Sequence, residues 1–335
     1  LVPTSVFTTK ISFESTDDQY LILSSSLSSE TLVFSIGEDI DLVDDSEFVT
    51  SQNTIAVQQI GKSSIVQVHA DGIRHIKHIQ DGDILKKKTT DWVTPGGISI
   101  LKAGTNNEQV IIGLSNREIR YFEVDPVDDQ LKEYGDTLEI SSGNITSLAI
   151  SPILDSGNRK SPYAIVGSSD ETVQVISLLD HNMLEVLTIQ ALSANSSSIQ
   201  ILTHERNTYV HIGMENGLYV KTLIDDITGK LSDSRIKYLG SMPVQLSTIG
   251  LPQIDQTGVL AISSRPWIGY HNKGAYNIAP LMDTSMNTAV SIHSEALGGD
   301  GIVGISDGRL TILTLNDGAG EEAVFDLDND FTVSS

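Results

Sequence analysis

The chain has 335 residues, 39% of them hydrophobic, no cysteine, and 21 Lys and Arg against 44 Asp and Glu, a formal net charge of −23. Without cysteine there are no disulfides or thiolate metal sites, and so negative a field disfavours an unaided grip on a phosphate backbone. No apolar run approaches the ~20 residues that a membrane helix needs, so no membrane contact is expected.

The chain begins at Leu1 with no charged and then apolar leader, and reads as a segment of a longer protein. From there, β-prone runs come in pairs hinged on turn residues, at 20–36, 65–76, 110–124, 163–178, 209–224, 259–270 and 302–315. The clearest is 209–224, in which alternating apolar arms meet at Glu215-Asn216-Gly217; Asn-Gly in that setting predicts a tight primed turn. The starts of the seven pairs are separated by 45, 45, 53, 46, 50 and 43 residues. Another β-prone run precedes each pair (6–13, 54–60, 98–103, 145–150, 198–202, 244–249, 289–293), and a more polar one follows most, as at 131–140, 184–191 and 236–241. Four strands per unit at this period predict an all-β fold, a single seven-bladed β-propeller of four-stranded antiparallel blades occupying 1–335 as one domain. The first unit has its own inner run and the last a possible outer run at 322–327, so closure is expected without a strand exchanged between the ends.

Three connections are longer than turns: the acidic 37–47, with Glu38, Asp39, Asp41, Asp44 and Asp45; 80–91, with Lys86, Lys87 and Lys88; and 151–161, rich in turn formers. Polar connections of this kind are expected as surface loops on a face or rim. The first two are the candidate partner-contact loops, and their opposite charge suits different partners.

Chemical motifs are weak. Gly304 to Gly308 fits G-x-S-x-G, but the residues that follow continue as a strand where a nucleophile elbow needs a helix, so a hairpin turn is expected. Asp326, Asp328 and Asp330 alternate like a calcium loop, yet Phe331 stands where the loop needs Gly, and a solvated acidic tail is the better reading. His69, His75 and His78 lack the spacing of a metal set. Asn144 and Asn195 open short glycosylation patterns with nothing else to indicate secretion. A propeller glycosidase would need paired carboxylates in a pocket, whereas the acids here fall mainly in loops and turns. No catalytic, cofactor or metal residue is assigned.

Longer stretches are specific: GLYVKTLIDDITGKLSDSRIKYLGSMPV at 217–244, SSRPWIGY at 263–270, TLVFSIGE at 31–38, DGIRHI at 71–76 and YFEVDP at 121–126. In this order they resemble the second propeller of the three-propeller scaffold family that includes damaged-DNA-binding protein 1 and the large subunit of the cleavage and polyadenylation specificity factor. Within it they are similar to the splicing factor 3b branch, in a form of fungal type. The sequence departs from that pattern at 39–45, 80–90 and 155–160, so partner contacts there do not carry over.

The resemblance implies a nuclear, non-enzymatic interaction module without cofactors. It would act in the splicing factor 3b complex of the U2 snRNP, supporting pre-mRNA splicing, branch-site recognition and prespliceosome assembly. It also implies that a HEAT-repeat subunit and small subunits are held mainly by the other two propellers, with no direct RNA binding. The alternative is a related scaffold in ubiquitin ligase or mRNA 3′-end processing complexes. The family signature falls on Gly217, Gly229, Arg265, Trp267 and Tyr270, expected to be structural. Trp267 and Tyr270 are three apart on a strand and so face opposite ways, which allows one to be core and the other exposed, with a structural role expected for both.

Overall fold

The computed structural model describes residues 1–151, 153, 160–281, 286–316 and 324–332, the stretches 314–316 and 324–332 as backbone only. Its strands fall into seven four-stranded antiparallel sheets, each built from strands consecutive in sequence. Blade 1 is β1 (Ser5–Thr9), β2 (Tyr20–Ser25), β3 (Glu30–Ile36) and β4 (Ile40–Leu42); blade 2 is β5 (Thr54–Ile60), β6 (Ser64–His69), β7 (Gly72–Asp81) and β8 (Ile84–Val93). Blade 3 is β9 (Ile100–Thr105), β10 (Gln109–Leu114), β11 (Glu118–Val124) and β12 (Leu131–Glu139); blade 4 is β13 (Ile145–Ile150), β14 (Tyr163–Ser168), β15 (Thr172–Ser177) and β16 (Val186–Ala191). Blade 5 is β17 (Ser196–His204), β18 (Asn207–Met214), β19 (Leu218–Ile224) and β20 (Leu231–Tyr238); blade 6 is β21 (Gln245–Leu251), β22 (Gln256–Ile262), β23 (Pro266–Asn272) and β24 (Ala275–Pro280). Blade 7 is β25 (Thr288–Ser294), β26 (Gly299–Ser306), β27 (Arg309–Asn316) and β28 (Val324–Thr332). The helical content of the described residues is two 3-10 turns, Pro252–Ile254 and Glu295–Leu297.

The core lies between blades, which explains the sequence pattern. The second strand of a blade is covered on both faces, so β2, β10 and β14 are buried at every position and read as continuous apolar runs. Ile60, Val66 and Val68 of blade 2 pack with Ile100, Val110 and Ile112 of blade 3, and the other seams repeat this scheme. Outer strands meet water, as in β8 and β20, which are exposed at nearly every position.

The ring closes without strand exchange, as the sequence led us to expect: β1 to β4 form one sheet and β25 to β28 another. Val6, Leu21 and Leu23 pack against Ile292, Val303, Ile305 and Ile312 across this joint. Thr8 Oγ1 donates to the Ser291 carbonyl at 2.7 Å, and the Asp18 and His293 backbones are tied by Asp18 N–H to the His293 carbonyl (2.8 Å) and His293 N–H to Asp18 Oδ2 (2.8 Å). Deleting 319–335 removes β28 but none of these groups. The truncated chain is expected to keep its β-rich far-ultraviolet spectrum and a cooperative, lowered melting transition, because an edge is exposed while the joint stays. Loss of the folded spectrum would refute this account of closure.

Several expectations need correction. The acidic 37–47 is not one loop, because 40–42 form β4; likewise 80–91 is a strand hairpin, and Lys86 to Lys88 lie on β8 paired with Lys77 to Ile79. Asp326, Asp328 and Asp330 lie on β28, with Asp330 opposite Thr311, and not in a free tail. The Asn-Gly turn is not primed either. Only Gly217 has positive φ (83°), with its N–H bonded to the Met214 carbonyl, the geometry of a type I turn closed by a left-handed residue. Arg117 (φ 69°) and Glu171 (φ 62°) occupy the same place in blades 3 and 4. Two-residue primed turns occur instead at Lys273-Gly274 and at Asp307-Gly308; the second lies within the G-x-S-x-G match, which is therefore the hairpin turn read from the sequence. The connection 151–161 lies largely outside the described residues.

Candidate interaction surface

At the rim of blades 1 and 2 the two charged stretches meet each other. Lys87 Nζ donates to the Asp45 carbonyl at 3.1 Å, Lys86 pairs with Asp81, and Lys88 is exposed on the same strand. Glu38 and Asp39 turn the chain into β4, which carries Asp41, and Asp44 and Asp45 follow it. Arg74 on β7 grips Asp91 with two bonds (2.8 and 2.9 Å) and the Glu47 carbonyl with a third (3.1 Å). That hydrogen-bonded pairing pushes the Arg74 guanidinium up and the Asp91 carboxyl down from their ordinary pKa values. The rim is thus one mixed-charge surface, where the sequence suggested two separate ones. Its register follows from β7 and β8, which pair Arg74 with Asp91 and Lys77 with Lys88.

His75 and His78 are buried on β7 with no hydrogen-bond partner for either ring nitrogen. Burial, with Lys87 adding to it, holds the His78 imidazole at about 4. They stand three apart on a strand, and no group of three His, Cys, Asp or Glu converges among the described residues.

A second cluster, which the sequence did not reveal, lies between blades 5 and 6. Tyr209 and His211 share one face of β18, and register sets Lys221 opposite His211, while on blade 6 it sets Tyr276 opposite His271. The Lys221 ammonium sits 4.1 Å from the Tyr209 ring centre and 4.2 Å from that of Tyr276, with its nitrogen 3.2 Å from His271 Nε2. Burial, then Lys221 and then His204, hold His271 at about 4, so it is the acceptor of the lysine proton. His204 stacks on His271 at 4.1 Å. Deeper in, a chain of bonds runs from His211 Nδ1 to the Tyr219 hydroxyl (2.5 Å) and on to the Tyr276 hydroxyl (2.6 Å). Gly269 makes room for it: a Cβ there would lie 2.0 Å from the Tyr276 hydroxyl. The sequence signal was the alternation Tyr209-x-His211 beside Tyr219-x-Lys221, legible only once the register is known.

The signature residues surround this seam. Trp267 is buried between blades 5 and 6, donates from Nε1 to the Leu239 carbonyl at 3.1 Å, and lies under Lys237 and Arg265 at 5.3 and 5.2 Å. Tyr270, on the other side of the strand, is half-buried against the core between blades 6 and 7, so Trp267 is the more deeply buried of the two rings. Gly217 supports the same region, since its carbonyl accepts the Leu239 N–H at 2.9 Å. Gly229 (φ 71°) closes the β19–β20 turn against Leu187 of blade 4. None of the five lies on the mixed-charge rim.

The RSE1/DDB1/CPSF1 second beta-propeller family matches residues 2–315. Among curated proteins, a Pre-mRNA-splicing factor RSE1 from Debaryomyces hansenii is 60% identical over 99% of this chain and 27% of its own length. The Candida albicans protein of that name is 51% identical over 100% of this chain and 27% of its own length. Spliceosome-associated protein 130 A of Arabidopsis thaliana is 34% identical over 94% and 26%. The chain spans about a quarter of the length of these relatives, 26–27%.

Proposed function

The chain belongs to the RSE1/DDB1/CPSF1 second β-propeller family, and from that we propose that it is the middle propeller of a three-propeller scaffold, acting in pre-mRNA splicing without catalysis. In this reading the whole protein is a nuclear subunit of the splicing factor 3b complex in the U2 snRNP, supporting branch-site recognition and prespliceosome assembly. Its HEAT-repeat and small partner subunits are held mainly by the flanking propellers. The observation that carries the reading is the match along almost the whole chain, residues 2–315, together with relatives named as splicing factors. Affinity purification of the full-length protein is expected to recover splicing proteins. Recovery of a ubiquitin ligase or of 3′-end processing factors instead would overturn it.

The rim of blades 1 and 2 is proposed as a protein-contact surface, formed by Glu38, Asp39, Asp41, Asp44 and Asp45 with Lys86, Lys87 and Lys88. Exposed ion pairs contribute about 0–1 kcal/mol, so replacing the three lysines by Glu is expected to shift the stability of the chain by no more than about 1 kcal/mol. The same change should lower partner recovery by the full-length protein. Unchanged recovery would remove the rim from the interaction surface.

The chain alone is expected to bind single-stranded RNA weakly at physiological salt. Lys86 and Lys87 are already engaged by Asp81 and the Asp45 carbonyl, and few phosphates can be neutralised by what is left against a charge of −23. Tight binding in a filter assay, abolished by Ala at all three lysines, would contradict this.

A further inference from the structure

A propeller blade ends in an outer strand whose far edge is unpaired, and such edges recruit foreign strands unless charge, proline or shortness protects them. Six of the seven outer strands carry such protection. β4 has three residues, one of them Asp41; β8 carries Lys86 to Lys88; β12 carries Lys132, Glu133, Asp136 and Glu139; β20 carries Asp233, Arg235 and Lys237. β24 ends at Pro280, and β28 carries Asp326, Asp328 and Asp330. β16 is the exception: Val-Leu-Thr-Ile-Gln-Ala has no charge, no proline and no glycine, and β15 is its one paired neighbour among the described residues. Ile189 in its middle is 62% exposed. A strand so suited to pairing would be an aggregation hazard if nothing ever covered it.

The surroundings select the occupant. Glu185 immediately precedes the strand, and the Glu171 carbonyl accepts the Leu192 N–H just beyond its other end at 2.7 Å. The β19–β20 turn of blade 5, with Asp225 and Asp226 exposed, is set beside it by the approach of Gly229 to Leu187. Lys160 is held by Glu123 and Asp180, and the exposed Lys230 is the one lysine of that turn, against the four carboxylates of Glu171, Glu185, Asp225 and Asp226.

We propose that the free edge of β16 is a docking site for an extended segment of a partner protein, a β-branched core of about five or six residues flanked by Lys or Arg, which adds to blade 4 as a fifth strand. Main-chain hydrogen bonds to the edge supply affinity, alternate side chains of the segment cover Ile189, and its cationic flanks meet the carboxylates at both ends. This deepens the reading of the chain as a protein-contact module. It fails separately from that reading, which is judged by partner recovery.

The test uses the 335-residue chain and three synthetic peptides sharing the core Val-Thr-Ile-Thr-Val, one flanked by Lys-Arg pairs, one by Glu-Asp pairs, and one basic but with Pro at the centre. With the basic peptide at about ten times its dissociation constant, amide exchange within 186–191 is expected to slow about tenfold, and neither control peptide should do this. The surface variant Ile189→Lys should keep the melting temperature and lose the protection. Equal protection by the acidic peptide, no change at 186–191, or protection that survives Ile189→Lys would overturn the proposal. So would concentration-dependent dimerisation of the chain through β16, which would make a second copy the occupant.

Discussion

Gly217→Ala is expected to destabilise the chain by about 2–4 kcal/mol, far beyond the cost of an ordinary surface alanine. Two separate effects add. The residue sits at φ 83°, where an L side chain costs roughly 1–2 kcal/mol. A Cβ there would also lie 1.7 Å from the Gly240 carbonyl oxygen, a backbone atom that cannot rotate away. Moving it disturbs the Leu239 carbonyl that anchors Trp267, so the damage spreads into the seam of blades 5 and 6. Glu171→Gly is the matched control. Glu171 has the same turn in blade 4 at φ 62°, and glycine there should leave stability unchanged or raise it by up to about 1 kcal/mol. Urea unfolding followed by tryptophan fluorescence measures both. A Gly217→Ala cost within about 0.5 kcal/mol would show that the 240 connection yields freely, against this account.

Mild acid is expected to destabilise the fold before its carboxylates titrate. His211 is 2% exposed, and burial, helped by Lys221 and His271, holds its imidazole at about 3. His78, 4% exposed, is held at about 4. Both are neutral in the folded chain, while the unfolded chain binds protons below about 6.5. The stability they confer is therefore complete above that pH and is lost as pH falls towards 4 and 3. At 1.36 kcal/mol per unit, His211 alone accounts for about 2 kcal/mol between pH 6.5 and 5. Below about 5 the carboxylates protonate and relieve the self-repulsion of the −23 charge, so the window from 6.5 to 5 isolates the histidines. Unfolding free energies at pH 7, 6 and 5 should fall for the native chain and fall less for His211→Gln. Identical slopes for the two chains would mean that His211 is not neutral in the fold.

The architecture was legible because each blade repeats one local grammar. Burial of the second strand on both faces writes a continuous apolar run such as 110–114, and every hairpin needs a turn residue. Side-chain partnership was less legible, because it depends on register between strands of different blades. Nothing near Lys221 in the sequence announces Tyr276, which is brought to it by the packing of blade 6 on blade 5. The charged stretches misled for a related reason. Polar composition was read as loop, but an outer strand that meets water is as polar as a loop, and Lys86 to Lys88 are paired across a ladder. The Asn-Gly signal placed the hairpin correctly and its turn class wrongly, because one residue more in the loop shifts the left-handed position onto Gly217 alone.

Closing the ring by packing rather than by an exchanged strand has a mechanical consequence. Within a blade, pulling neighbouring strands apart along their length shears a whole ladder of hydrogen bonds at once. Between blades 7 and 1 the load is borne by the side chains of Val6, Leu21 and Leu23 against Val303 and Ile305, and by a few bonds such as Thr8 to Ser291. Tension applied across the first and last blades therefore opens this joint first, as a clasp that parts while every blade keeps its own four strands.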